Sequence, residues 1–372
     1  MSVFNMPSET LQIIKDLGLL DDRRRAKRFG QHFLTDPRIL SSIVDAAEPI
    51  SGSIVVEIGP GPGGLTREIL KRGPERVVVI EKDERFVGML ESLGVTVFNE
   101  DATNFDFAKV RGPAGEGSRL APFEACAREV SLHLRYVERE DDLAAPLCTQ
   151  TTSTHVAETK GDGSKIWDAI TAAVRAGICP PLDFESREIP DIPALINKIF
   201  QPTPSFLKND FPKTPIDNGS SKCGDWQNKS GWPLQNLSYP PGARGNDRPI
   251  KVISNLPYNV GTAIFLNILR HLSGVCSMTL MFQKEVAERL LAKPGSRDYG
   301  RLAALSQYFT TGKRTMRLAP GAFYPPPKVF SDVVHFIPNV GADVTLFDDL
   351  SAFCSEIFQY KRKKLKNRLK HL

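Results

Sequence analysis

The sequence contains no long hydrophobic run and few cysteines. No apolar stretch in the 372 residues is long enough to cross a bilayer, and Met1–Leu20, which carries Glu9 and Asp16, lacks the apolar centre of a signal peptide. The six cysteines are scattered without a C-x-x-C pair, so neither a zinc site nor a disulfide framework is indicated. We therefore expect a cytoplasmic, reducing environment, no metal ion and no membrane contact.

Basic charge is concentrated in two short segments. The overall composition, with 41% hydrophobic and 24% charged residues and a net charge of +5, is typical of a globular protein. One basic segment lies at 23–28 and the other at 361–370. Such clusters suit the phosphates of a nucleic acid, and a solvated helix face is the alternative.

A glycine-rich turn follows the first predicted strand. The apolar run Ile54–Ile58 predicts a buried strand, and a helix is predicted over 65–72. Between them stand Gly59, Gly61 and Gly64. A strand, a glycine turn and a helix in this order are typical of a nucleotide-binding corner. The G-x-G-x-x-G spacing keeps a dinucleotide-dependent oxidoreductase open as an alternative.

Acidic residues follow the next two predicted strands. Glu81 ends the run 76–80, about twenty residues after the glycines, where an acid can accept from both ribose hydroxyls. Asp101 follows the run 95–98 and suits an adenine amino group. Three strand–helix units with acids after the second and third fit an adenosyl ligand that has no pyrophosphate.

The stretch Asn255-Leu256-Pro257-Tyr258 follows the β-branched run 250–254, which predicts a buried strand. It therefore stands at the sheet edge where open α/β folds bind ligands. The Asn255 side-chain oxygen and the Leu256 carbonyl suit an exocyclic base amino group, and Tyr258 suits stacking on the base. The pattern favours methylation of that amino group, with a plain turn at a strand end as the alternative.

Taken in order, these motifs resemble the small-subunit (16S-type) rRNA adenine-N6 dimethyltransferase family. The match covers roughly residues 23–110 and 249–372. The motifs that carry it are Gly30-Gln31-His32-Phe33-Leu34, Glu57-Ile58-Gly59-Pro60-Gly61, Glu81, Asp101-Ala102, Asn255-Leu256-Pro257-Tyr258, Gln283-Lys284-Glu285, Tyr299-Gly300-Arg301-Leu302 and Phe323-Tyr324-Pro325-Pro326-Pro327-Lys328-Val329.

The resemblance implies an S-adenosylmethionine-dependent enzyme that dimethylates two adjacent adenines in the 3′-terminal hairpin of small-subunit rRNA. The implied partner is that rRNA in the pre-30S particle, and the protein is expected to be a monomer. Phe323 is implied as a second aromatic wall for the base, with a core phenylalanine as the alternative. The implied catalytic positions are Asn255, Leu256, Pro257, Tyr258 and Phe323, and the implied donor-binding positions are His32, Leu34, Gly59, Glu81, Asp101 and Asn255.

The implied fold class is α/β, a Rossmann-like, mostly parallel, seven-stranded class I methyltransferase sheet with a small, truncated helical C-terminal domain. The predicted domains are an N-terminal extension (1–22), a catalytic domain (23–338) and the C-terminal domain (339–372). An insert at 111–247 interrupts the catalytic domain. A hairpin over 322–338 is expected to supply the last, antiparallel strands.

The predicted insert differs in composition from its flanks. Residues 120–147 and 166–176 have helical character, whereas 202–245 is rich in Pro, Gly, Asn and Ser and predicts loop or disorder. Trp226 and Trp232 suit stacking on RNA bases. An insert without function is the alternative.

Two further functional alternatives remain at this point. A large-subunit rRNA adenine methyltransferase shares the donor-site pattern, although Gln283-Lys284-Glu285 and Phe323–Val329 favour the small-subunit type. An RNA-binding ribosome-assembly or transcription factor on the same fold, with activity lost, belongs to a different functional class. Methyl transfer to unmethylated small subunits separates these alternatives.

Overall fold

The structure, a computed structural model, describes residues 9–16, 32–111, 164–175, 190–199, 248–339, 341–360 and 363–368. The basic segment 23–28, the stretch 120–147 and the segment 202–245 with its two tryptophans lie outside these residues. So does part of the basic C-terminal segment.

Nine strands and eleven α-helices lie in the described residues. The strands are β1 (Phe33–Leu34), β2 (Ile54–Ile58), β3 (Arg76–Ile80), β4 (Thr96–Phe98), β5 (Ile250–Asn255), β6 (Val275–Gln283), β7 (Thr310–Leu318), β8 (Phe323–Tyr324) and β9 (Ser331–Pro338). The helices are α1 (Glu9–Asp16), α2 (Pro37–Asp45), α3 (Gly64–Leu70), α4 (Val87–Ser92), α5 (Ser164–Arg175), α6 (Ile192–Ile199), α7 (Gly261–Arg270), α8 (Lys284–Leu290), α9 (Arg301–Phe309), α10 (Phe347–Gln359) and α11 (Leu365–Arg368).

A seven-stranded sheet organises the fold, with strand order β4-β3-β2-β5-β6-β9-β7. The pairings from β4 to β6 are parallel, and β9 runs antiparallel to both β6 and β7. The fold class predicted from the sequence, a mostly parallel Rossmann-like methyltransferase sheet, is confirmed. The chain order reverses between β2 and β5, which is where ligands bind in open α/β sheets.

Alternate residues of the central strands enter two separate cores, one on each face of the sheet. Val56 of β2 and Val252 of β5 belong to one apolar cluster, whereas Val55 and Ile253 belong to the other. Burial on both faces requires the continuous apolar runs that predicted these strands. The predicted bounds of β2 and β3 agree with the structure.

An N-cap residue and a proline fix the start of α2. The Asp36 side chain accepts from the Arg38 N–H at 2.9 Å, and Pro37 occupies the first helical turn. An N-cap acceptor before a proline that needs no amide partner begins a helix at this point.

The predicted hairpin over 322–338 is wrong in its first strand. The strand that precedes β9 in the sheet's last antiparallel pair is β7, which begins at Thr310. Phe323 and Tyr324 instead pair with Leu34 and Phe33 in a separate two-stranded sheet. Because β7 is an edge strand with mostly exposed or half-exposed side chains, its sequence lacks the apolar alternation that reveals a strand.

Two helices of the insert are packed into the protein core. Helix α5 confirms the helix predicted over 166–176 and packs on α10, while α6 packs on α9. The main-chain N–H of Ile192 donates to the Tyr299 hydroxyl at 3.3 Å. The apolar residues of α5, α6 and α10 belong to the same cluster as one face of the sheet. The domain boundaries drawn from the sequence stay a prediction.

Two cysteines lie on described elements, Cys276 on β6 and Cys354 on α10. Cys354 on α10 is a free thiol, and burial raises its pKa to about 12. A thiol of that pKa stays protonated and unreactive at neutral pH.

Candidate active site

A cavity of about 190 Å³ lies at the carboxyl ends of β2, β3 and β5. Its walls include the glycine turn after β2, Glu81 after β3, Asp101 after β4 and the loop 255–258. The predicted site residues His32, Leu34, Gly59 and Pro257 also line it. Residues that are far apart in the sequence thus converge on one space at the switch point of the sheet.

Glycine is required in the turn after β2 because the backbone there is left-handed. Gly59 has φ of +63° and Gly61 has φ of +55°, a region that side chains with a Cβ disfavour. At Gly61 an added Cβ would also lie 2.9 Å from the Phe33 ring. The turn therefore brings bare backbone to the wall of the cavity.

The Glu81 carboxylate is buried and held by main-chain amides. Its Oε2 accepts from the Gly61 N–H at 3.0 Å, and its Oε1 accepts from the Asp83 N–H at 2.8 Å. Burial raises the pKa of Glu81, and these two hydrogen bonds act in the opposite direction. Since each carboxylate oxygen has two lone pairs, both oxygens keep acceptor capacity for ligand hydroxyls.

Asp101 is ionised and fixed by Lys82, whose ammonium donates to Oδ2 at 2.6 Å. The N–H and hydroxyl of Thr103 both donate to Oδ1, at 3.0 Å and 2.7 Å. The Lys82 bond, followed by those of Thr103, lowers the pKa of Asp101 to about 2. The carboxylate is therefore a permanent acceptor at this corner of the cavity.

Glu57 also lines the cavity, although the sequence pattern predicts no role for it. It is the last charged residue of β2 and is only 2% exposed. Burial raises its pKa to about 8, although the Thr66 hydroxyl donates to its Oε2 at 2.6 Å. A charged residue inside an otherwise apolar strand was the signal that marked it. Lys82 also lines the cavity, and the sequence pattern predicts no role for it.

Two hydrogen bonds fix the start of the loop 255–258. The Ser254 hydroxyl donates to the Ile58 carbonyl at 2.6 Å and so ties the end of β5 to that of β2. The side-chain amide of Asn255 donates from Nδ2 to the His32 carbonyl at 3.1 Å. Because that carbonyl only accepts, Nδ2 faces His32 and the Asn255 Oδ1 is left as an acceptor.

Tyr258 is held by contacts from two distant segments. Its hydroxyl is hydrogen-bonded to the Ser331 hydroxyl, and its ring lies 5.1 Å from the His32 ring, with an angle of 31° between the planes. His32 in turn donates from Nδ1 to the Pro325 carbonyl at 2.7 Å. The tyrosine ring is thus oriented by a chain of contacts rather than by the loop alone.

Phe323 differs from its predicted place as a second aromatic wall. It is 3% exposed and is not among the residues that line the cavity. Its ring lies 6.4 Å from that of Tyr258 at 69°. The two rings therefore form no parallel slot, and in this arrangement Phe323 supports Tyr258.

No group of three or more His, Cys, Asp or Glu side chains is arranged to hold a metal ion in the part of the chain that the structure describes. No helix among the described residues is long and apolar enough to span a membrane.

Comparison with known families gives one match that covers most of the chain. The model of the family described as "Ribosomal RNA adenine dimethylase" matches residues 23–128 and 206–372. The unmatched residues 129–205 include α5 and α6.

Individual relatives carry related names. The chain is 30% identical to a ribosomal RNA small subunit methyltransferase A of Cereibacter sphaeroides, over 93% of this chain and 79% of that protein. It is 26% identical to a mitochondrial dimethyladenosine transferase 1 of Vermamoeba vermiformis, over 93% of this chain and 80% of that protein. A crystal structure of a dimethyladenosine transferase from Plasmodium falciparum matches with a TM-score of 0.49 at 20% identity, over 91% of this chain and 75% of that one.

Proposed function

The chain belongs to the ribosomal RNA adenine dimethylase family, and on that premise we propose that it dimethylates the N6 amino groups of two adjacent adenines in small-subunit rRNA. One observation connects this proposal with particular residues. Asn255, with Nδ2 bound to His32 and Oδ1 free to accept, lines the same cavity as Glu57, Glu81 and Asp101.

The residues of the cavity fit S-adenosylmethionine as methyl donor. Glu81 and Asp101 offer fixed carboxylate acceptors for ribose hydroxyls and an adenine amino group, and Glu57 offers a carboxyl group for a ligand ammonium. The left-handed turn at Gly59 and Gly61 leaves room for backbone contact with the ligand. When bound, the donor supplies a methyl group on a positively charged sulfur.

The protein's task is to orient the acceptor nitrogen. The lone pair of an adenine amino group is delocalised into the ring, so the nitrogen is a poor nucleophile. Hydrogen bonds from that group to Asn255 Oδ1 and the Leu256 carbonyl hold it in a defined direction, while Tyr258 stacks on a base that has left its helix. Fixed position and fixed dipoles then provide most of the acceleration. No strong base is needed because the methylated nitrogen becomes acidic.

The comparisons do not favour the oxidoreductase, the large-subunit enzyme or the inactive binding factor. The 3′-terminal hairpin, the pre-30S particle, the monomeric state and the cytoplasmic location remain proposals. The names of bacterial relatives support the small-subunit rRNA as substrate.

Transfer of labelled methyl groups to unmethylated small subunits tests the activity, with N6,N6-dimethyladenosine as the diagnostic product.

Glu81→Gln is expected to weaken donor binding by roughly 1–3 kcal/mol, since it removes a charged acceptor at the ribose. Glu91→Gln, an exposed residue on α4, is the matched control. Unchanged donor affinity of Glu81→Gln in calorimetry would refute the assignment of Glu81.

A further inference from the structure

Exposed apolar side chains cluster beside the cavity. Four large hydrophobic side chains are exposed among the described residues, and three of them stand on the segment 324–330: Tyr324 at 38%, Val329 at 41% and Phe330 at 47%. Aromatic rings at the surface in such a concentration mark an interaction site.

The segment is held rigidly at the rim of the cavity. The Pro325 carbonyl accepts from His32 Nδ1 at 2.7 Å, and the Phe330 carbonyl accepts from the Lys284 N–H at 2.9 Å. Immediately beyond Phe330, the Ser331 hydroxyl bonds Tyr258. Two of these anchors are residues that line the cavity, so the exposed rings are fixed relative to the base site.

The charge around the segment suits a polyanion. Residues 323–330 contain Lys328 and no acidic residue, and Lys328 makes no ion pair with any described residue. Among its neighbours, Arg314 and Arg317 contact Asp332, and Lys284 and Arg317 contact Glu288. Within residues 323–330 themselves, the one charged side chain is therefore that of Lys328, which is positive.

We propose that Tyr324, Lys328 and Phe330 form a platform that binds the single-stranded nucleotides next to the adenine in the cavity. The aromatic rings stack on flanking bases and Lys328 contacts a phosphate, the combination by which proteins bind single strands. This inference rests on the proposed function. RNA is favoured over a protein partner because the platform is continuous with the base site and lacks acidic groups.

The test measures single-turnover methylation of small subunits as their concentration is varied. Tyr324→Ala and Phe330→Ala are expected to raise the half-saturating concentration roughly tenfold to a hundredfold, as for the loss of one stacked base. The methylation rate at saturating small subunits stays close to that of the unchanged protein. Phe330→Trp, which keeps an aromatic ring, is expected to bind small subunits normally. Lys328→Ala is expected to reduce the slope of log affinity against log salt by about 0.7.

Tyr360→Ala is the matched control, because Tyr360 is an exposed aromatic residue, at 44%, directly after α10. Calorimetric donor binding should be unchanged in every variant, which shows that the cavity is intact. Normal half-saturation by Phe330→Ala and Tyr324→Ala overturns the platform and assigns the patch to another partner, such as a protein. Absence of methylation by the unchanged protein overturns the proposed function itself.

Discussion

The side-chain amide of Asn255 bonds the main-chain carbonyl of His32, a residue 223 positions earlier, at 3.1 Å. This bond turns Nδ2 of the amide towards His32 and leaves Oδ1 as the acceptor. It also makes the orientation of Asn255 depend on the segment before α2, which a motif of four consecutive residues does not reveal.

Asn255→Ala is expected to slow the chemical step by on the order of 10²–10³-fold, because it removes one fixed acceptor of the amino group. Asn255→Asp should be similarly impaired, since it places a carboxylate oxygen against the His32 carbonyl. Asn104→Ala, at an exposed position outside the cavity, serves as control. Near-normal single-turnover rates for Asn255→Ala in folded protein would contradict the mechanism.

Tyr258→Ala is expected to weaken capture of the target base by roughly 1–3 kcal/mol, the contribution of one stacking contact. Tyr258→Phe and Ser331→Ala each remove one of the two bonded hydroxyls and keep the tyrosine ring, so we expect both to have a mild effect. The measurement is the half-saturating concentration of small subunits. Equal damage in Tyr258→Phe and Tyr258→Ala would show that the hydroxyl, and not the stacked ring, matters.

Glu57 predicts a pH dependence of donor binding. Its pKa of about 8 in the folded protein means that it is mostly neutral at pH 7, whereas a cationic ligand favours the carboxylate. Donor binding should therefore release protons and strengthen as pH rises towards 8. Calorimetry in two buffers of different ionisation enthalpy measures this release, and Glu57→Gln should abolish it. If Glu57→Gln still releases protons when it binds the donor, the protons come from another group.

The same group lowers protein stability as pH rises in the absence of ligand. Between the ordinary value of 4.5 and about 8, the folded protein holds a proton that the unfolded chain has lost. The free energy of unfolding contributed by Glu57 therefore falls through this window and levels above it.

Ile170 tests whether the insert helices belong to the core. Ile170→Asp is expected to lower the free energy of unfolding by roughly 3–5 kcal/mol, because it removes a buried isoleucine and buries a charge. Ala172→Asp, on the exposed side of α5, should change it by about 0.5 kcal/mol or less. Denaturant unfolding compares the two. Equal stability would mean that α5 is dispensable, as expected for an insert without packing.

Local sequence signals predicted the central strands and the glycine turn after β2. Continuous β-branched runs set the bounds of β2 and β3, and left-handed φ values explain the glycines at 59 and 61. Long-range contacts were missed. The two-residue ladder between β1 and β8 and the packing of Tyr299 on α6 depend on segments that carry no shared local pattern.

The contacts around Tyr258 also order the assembly of the site in time. The hydrogen-bonded residues His32 and Pro325 lie 293 positions apart, and Ser331 enters the chain 73 positions after Tyr258. During translation, Gly59, Glu81 and Asp101 are synthesised long before the residues that orient the tyrosine, and chains fold from the N-terminus as they emerge. A nascent chain that has not reached Ser331 therefore contains the carboxylates of Glu81 and Asp101. It lacks the hydroxyl that bonds the Tyr258 hydroxyl. Translation of β9 therefore supplies the last of the residues that contact Tyr258.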